Sequence, residues 1–160
     1  MSQMQPGATT TFASGVVRNR QRLDELKKVK KIIFACVHNA GRSQMAAAFF
    51  NKYADQAKAH AISAGTQPAE CIHPEVVQMM SEVGIDLSQG KPQKLTDEIA
   101  REAGMLITMG CGDQCPYVPG LRRNDWPLPD PKGKAVEEVR AIRNEIQHRV
   151  LELIKQERLG

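Results

Sequence analysis

Apolar positions along the chain fall into two alternating rhythms. "KIIFA", Lys31–Ala35, is a continuous apolar run bounded by a turn, the mark of a strand buried on both faces of a parallel sheet. After it, Met45, Phe49 and Tyr53 recur at a spacing of four and predict one face of a helix. "AHAISAG", Ala59–Gly65, predicts a second strand closed by glycine. In "HPEVVQMMSEVG", Pro74 suits the first helical position, Val76, Met80 and Val83 share a face, and Gly84 suits the stop. Thr96 can cap a short helix from Asp97 to Ala103, with two acids near its positive end.

"MLITM", Met105–Met109, predicts a third buried strand, and a last short strand is expected near Asp125 to Leu128. Val136, Val139, Ile142, Ile146, Val150 and Leu153 then keep helical spacing among charged residues and predict a long amphipathic closing helix. Strands alternating with helices imply an α/β fold, a small doubly wound parallel sheet of about four strands. In such sheets ligands sit beyond the carboxyl ends of the strands.

With 160 residues, 41% hydrophobic, the chain has the size and composition of one domain. The expected division is a basic leader over 1–30, partly disordered with a possible short helix from Arg18 to Lys28, and one catalytic domain over 31–157. The net charge of +4 is local: Met1–Lys31 holds seven Lys/Arg against two Asp/Glu, so the remainder is close to neutral. A near-neutral domain argues against nucleic acid as partner, since a phosphate-backbone footprint needs a cationic face. No apolar run suits a bilayer, and no signal peptide pattern opens the chain. The acid-free Met1–Arg22 has a faint organellar-transit character, but a cytoplasmic location is the expectation. Four irregularly spaced cysteines in a chain able to build a core point to reactive or metal-binding thiols in a reducing compartment.

Cys36 stands where the first strand meets the following helix. A turn from Cys36 to Arg42 would aim the backbone N–H groups of Val37, His38, Asn39, Ala40 and Gly41 at a tetrahedral oxyanion near a helix N-terminus. Ala40 and Gly41 keep its wall small, and Asn39 readily accepts a left-handed backbone. Arg42 can grip two anion oxygens with its planar fork, and arginine and helix dipole together favour a Cys36 thiolate, the nucleophilic form. Ser43 can cap the helix or donate to the sulfur. His38 can tune the anion or face solvent. A packed thiol and a metal ligand are the competing roles for Cys36.

"CVHNAGRS" resembles the phosphate-binding loop of the low-molecular-weight tyrosine phosphatases and of the arsenate reductases that share their fold, a flavodoxin-like sheet. The resemblance extends over nearly all of the chain beyond the leader. "DWPLPDPKG" matches the family's Asp-Pro loop at Asp130 and Pro131, which implies that Asp130 is the general acid. "ITMGCGDQCPYVPG" looks like the redox segment of the arsenate reductases, which implies that Cys36 attacks arsenate, Cys111 attacks the Cys36 sulfur as arsenite leaves, and Cys115 closes a disulfide with Cys111. Reduction of As(V) needs two electrons, and two thiols becoming one disulfide supply them. Four extended residues span about 13 Å, so the Cys111 to Cys115 segment must fold compactly to bring two Cα atoms within a disulfide's roughly 4.4–6.8 Å.

Lys132 follows Asp-Pro where the phosphatases usually have an aromatic residue. With 4% aromatic residues overall, a small inorganic oxyanion fits better than a phenyl ring. Two features depart from the thioredoxin-coupled branch: Gly41 stands where that branch carries a second loop cysteine, and the Cys111 to Cys115 spacing is shorter. Ala47 replaces a glutamate linked to a potassium site, so neither that site nor any bound metal or cofactor is expected. The implied reductant is external: thioredoxin, a glutaredoxin-like protein, or a low-molecular-weight thiol as in a related branch. The alternatives are a low-molecular-weight phosphatase hydrolysing phosphate monoesters, and a non-catalytic protein whose thiols hold arsenic or zinc, with Cys71 and His73 as the remaining candidate ligands.

Overall fold

The computed structural model describes residues 29–110 and 118–160. Within them, four strands, β1 (Lys30–Cys36), β2 (Ala59–Gly65), β3 (Met105–Thr108) and β4 (Arg122–Asp125), form one sheet in the order β2-β1-β3-β4. Every pairing is parallel. The helices are α1 (Arg42–Tyr53), α2 (Pro74–Ser81), α3 (Asp97–Arg101) and α4 (Val136–Gln156).

β1 lies in the middle of the sheet because its side chains are apolar on both sides. Ile32, Phe34 and Cys36 join Met45, Phe49 and Phe50 of α1 and Ile146, Val150 and Leu153 of α4 in one core. Ile33 and Ala35 face the opposite way, against Ala64, Leu95 and Leu106, with Ile99 of α3 packed alongside. The alternation is the period of two of a pleated strand, and both faces are covered, as parallel sheets require. The register pairs Cys36 with Gly65, Ala35 with Thr108, and Thr108 with Asp125, so the carboxyl ends form one common edge.

Most expected elements are present within a residue or two. Thr96 accepts the Ile99 N–H as the cap of α3, and Gly84 adopts φ +80 after α2. Tyr53 differs from the expected stripe: Met45 and Phe49 are fully buried, while Tyr53 is 38% exposed and stacks its ring on Phe49 at the open end of α1.

The fourth strand is a correction. It occupies Arg122–Asp125 rather than Asp125 to Leu128. Pro127 and Pro129 have no N–H for a ladder, so pairing stops when the Trp126 N–H reaches the Thr108 carbonyl at 2.8 Å. All four strand residues are exposed, as an edge strand tolerates, so no apolar pattern marks them. The leader, including the expected Arg18 to Lys28 helix, and the redox-segment residues Cys111 and Cys115 lie outside the described residues. Among the described residues no helix is long and apolar enough to cross a membrane.

α2 and α4 are clamped together by charge. Glu82 accepts from Arg140 at 2.8 Å and from Arg143 at 2.7 Å. The two guanidiniums hold its carboxyl far below the ordinary 4.5, at about 2. Arg143 is itself 6% exposed and donates to the Met79 carbonyl at 2.9 Å, so its charge is satisfied despite burial.

Candidate active site

The loop between β1 and α1 is held by its carbonyls. The Cys36, Val37 and His38 oxygens accept from the backbone N–H groups of Thr66, Gln67 and Ala69 at 3.2, 2.8 and 2.9 Å. The Ala40 oxygen accepts from the His73 N–H at 3.0 Å, and the Gly41 oxygen from the Met45 N–H at 3.0 Å. The Asn39 oxygen accepts from the Gln44 side chain at 3.0 Å. In a trans peptide the N–H points opposite to the C=O. Six carbonyls turned outward therefore turn the N–H groups of residues Val37 to Arg42 inward, which is how a run of amides comes to face an anion.

The segment Thr66 to His73 lines the outer side of the loop and supplies four of these six donors. It reaches the loop because Gly65 ends β2 without a side chain: a Cβ there would fall 2.6 Å from the Val37 oxygen and 2.9 Å from Asn39 N. Asn39 takes φ +50, the left-handed conformation its side chain tolerates.

The hydrogen bonds beside the sulfur fix the orientation of the Asn39 amide. A backbone N–H can only donate, so the Gln93 N–H, 2.9 Å from Asn39 Oδ1, identifies that atom as the acceptor. Asn39 Nδ2 then faces Ser43 Oγ and donates to it at 2.7 Å. The Ser43 oxygen accepts that bond and shares a hydrogen bond with Cys36 Sγ, 2.9 Å away, in which the hydroxyl can donate to the sulfur. The Asn39 N–H also donates to the sulfur, at 3.2 Å. The Asn39 N–H and the Ser43 hydroxyl thus both lie within hydrogen-bond reach of Cys36 Sγ. Ser43 thus serves the sulfur rather than the helix end, where the N-cap residue is Gly41 and no side-chain cap bond forms.

Arg42 is 8% exposed and donates through Nη1 to the Leu128 carbonyl at 2.8 Å. Its Nη2 lies 4.0 Å from Asp130 Oδ2, so the candidate oxyanion grip and the candidate acid are neighbours. Asp130 Oδ1 accepts the Lys132 N–H at 3.0 Å, a local turn that orients the carboxyl, and its side chain is 44% exposed. Gly41 packs against the same loop: a Cβ there would sit 2.9 Å from Pro131 Cγ. Gly110, at φ +102, lies on the other side of the arginine, where a Cβ would come 2.5 Å from Arg42 Nη1.

Cys36, Asn39, Ala40, Gly41, Arg42, Ser43 and Asp130 therefore belong to one region. Val37 and His38 complete the loop, with His38 Nδ1 at 3.1 Å from the Gln67 carbonyl. Cys71 is exposed on the flanking segment. Trp126, the chain's one tryptophan, packs its ring 5.6 Å from Phe34 and adds to the core. Sequence reasoning missed Gln44, Gln93, the Leu128 carbonyl and the Thr66 to His73 donors. The only local signal among them was Gln44, a polar residue on the buried first turn of a helix.

Residues 31–159 match the model of the low molecular weight phosphotyrosine protein phosphatase family. The thioredoxin-dependent arsenate reductase of Corynebacterium glutamicum is 39% identical, covers 86% of this chain and 70% of its own, and superposes with a TM-score of 0.70. The glutaredoxin arsenate reductase of Synechocystis is 35% identical over 79% of this chain and 97% of its own. An arsenate reductase of Brevibacillus brevis is 34% identical over 78% and 94%. With its loop, its sheet order and these relatives in agreement, the chain belongs to the low molecular weight phosphotyrosine protein phosphatase family, within the group of arsenate reductases built on that fold.

Proposed function

We propose that this protein reduces arsenate to arsenite, with Cys36 as nucleophile and Cys111 and Cys115 as the source of electrons. The loop amides and Arg42 bind arsenate, and the Cys36 thiolate forms an S–As bond. Asp130 gives its proton to the departing oxygen, which leaves as water, and arsenic remains As(V) in the adduct. The Cys111 thiolate then attacks the Cys36 sulfur: an S–S bond forms, the S–As pair stays on arsenic, and arsenite departs as As(III). Cys115 next attacks the Cys111 sulfur, returning Cys36 as thiolate and leaving a Cys111–Cys115 disulfide. An external dithiol protein of the thioredoxin or glutaredoxin class, or a small thiol, returns the two electrons.

The observation that carries this reading over simple ester hydrolysis is the position of Gly110. It immediately precedes Cys111, and a Cβ on it would fall 2.5 Å from Arg42 Nη1, so the guanidinium holds its place beside a bare backbone. The thiol segment thus departs from the guanidinium that would hold the substrate. Hydrolysis requires no thiol there. The names of the relatives, one thioredoxin-dependent and one glutaredoxin-linked, support an external thiol reductant.

The test is a single turnover. Fully reduced protein is mixed anaerobically with arsenate and no added thiol, arsenite is counted, and the disulfide is mapped. One equivalent of arsenite with a Cys111–Cys115 bond is expected, and Cys111→Ser should stop at the Cys36 adduct. Arsenite only after a small thiol is added would remove the internal relay. Aryl phosphate hydrolysis with no arsenite under either condition would make the protein a phosphatase.

A further inference from the structure

Of the six outward-turned loop carbonyls, five are met by backbone N–H groups, which any residue but proline would supply in this fold. The sixth, on Asn39, is met by a side chain. Gln44 Nε2 donates to the Asn39 main-chain oxygen at 3.0 Å, to Asn39 Oδ1 at 3.1 Å, and more weakly to the Lys91 carbonyl at 3.4 Å. Gln44 is 8% exposed and Asn39 fully buried, so water is poorly placed to substitute for the amide.

We infer that Gln44 is a positioning residue of the oxyanion loop, acting through Asn39 on both the anion cradle and the Cys36 sulfur. Two consequences follow from the geometry. Without the Gln44 donor, the peptide joining Asn39 to Ala40 is free to turn, and a turn carries the Asn39 oxygen in and the Ala40 N–H out of the cradle. The same amide also helps hold Asn39 Oδ1 toward Gln93, and thereby holds Nδ2 on Ser43, whose hydroxyl is hydrogen-bonded to Cys36 Sγ. Gln44 links the loop to the segment around Lys91 and Gln93, which is itself tied to β2 by Gly65 N–H to the Gln93 carbonyl at 2.9 Å and Leu95 N–H to the Gly65 carbonyl at 2.8 Å. A side chain that touches neither sulfur nor anion thus controls the groups that do.

The inference rests on an oxyanion-binding thiolate loop, as in the proposed function, but it is tested without arsenate reduction. Reduced full-length protein is treated with iodoacetamide at neutral pH, and labelling of Cys36 is counted by peptide mass spectrometry over a range of inorganic phosphate. In Gln44→Met, which keeps the bulk and loses the donor, Cys36 should react several-fold more slowly. About ten times more phosphate should be needed for half protection. A lowered melting temperature with wild-type protection by phosphate would reduce Gln44 to a structural role and overturn the inference.

Gln44→Glu guards against a misfolded methionine variant. Its defect should grow as pH rises, because only the protonated carboxyl can donate to Asn39; a defect independent of pH overturns the inference. Absence of phosphate protection in the wild type would overturn the cradle and this inference together. Normal protection with no arsenite formed would refute the reductase reading alone.

Discussion

At the residue scale, the site depends on what is absent as much as on what reacts. Gly41 stands where the thioredoxin-coupled branch carries a second cysteine, and here any Cβ at that position would press on Pro131, 2.9 Å away. Gly41→Ala should therefore move the Asp130 loop while leaving the loop amides in place. Turnover is expected to fall by about 10–100-fold, the scale of a roughly 1 Å misplacement of a reacting group, with phosphate protection of Cys36 nearly unchanged. Steady-state kinetics beside the alkylation assay separate the two effects. Arg42→Lys keeps the charge and loses the fork that now reaches Leu128 and Asp130 and, in the proposed function, grips the anion. A loss of about 100–1,000-fold in kcat/KM is expected, measured as arsenite release at low arsenate.

At the element scale, the Glu82 clamp joins the end of α2 to α4 and makes the fold sensitive to acid. Its carboxyl titrates near 2 when folded and near 4.5 when unpaired. The sign follows from linkage: a carboxyl with a depressed folded value stabilises fully above about 4.5, and that contribution is lost as pH falls toward 2. Thermal melts of Glu82→Gln and wild type should differ most at neutral pH and converge as pH falls through this window. A constant difference across it would show that the clamp does not carry the effect. β4 illustrates the opposite case, an element held by ladder bonds to β3 with no buried side chain of its own. Its polar "RRND" therefore gave no periodic signal, whereas β1, buried on both faces, was plain from its apolar run.

At the scale of the whole molecule, α1 and α4 close one face of the sheet, and Ile146 lies fully buried at their contact with β1. Ile146→Ala should cost about 2–5 kcal/mol in urea unfolding, the range for a truncated core aliphatic. Cys36 alkylation at low temperature should persist in the surviving folded fraction, since four of the six carbonyl ties of the loop come from the Thr66 to His73 segment beyond β2. The parallel register gathers Cys36, Gly65, Thr108 and Asp125 at one edge, so residues far apart in sequence contribute to one site without any long excursion of the chain.

The amino-acid sequence by itself determined the helix and strand rhythm and the Cys36 to Ser43 loop, because strand, turn and helix there are contiguous and each is specified by side chains within a few positions. It also singled out Asp130, though only through resemblance to a family, since an Asp-Pro pair alone is an ordinary turn. Tertiary structure decided which donors turn the loop carbonyls outward, that Gln44 rather than backbone holds the Asn39 carbonyl, and that Gly110 and Pro131 press against Arg42 and Gly41. Apart from Gln44, which lies five residues from Asn39, those contacts join segments tens of residues apart. Most of their partners are backbone groups or glycines, which carry no side-chain chemistry to read, so only the packed sheet brings them together.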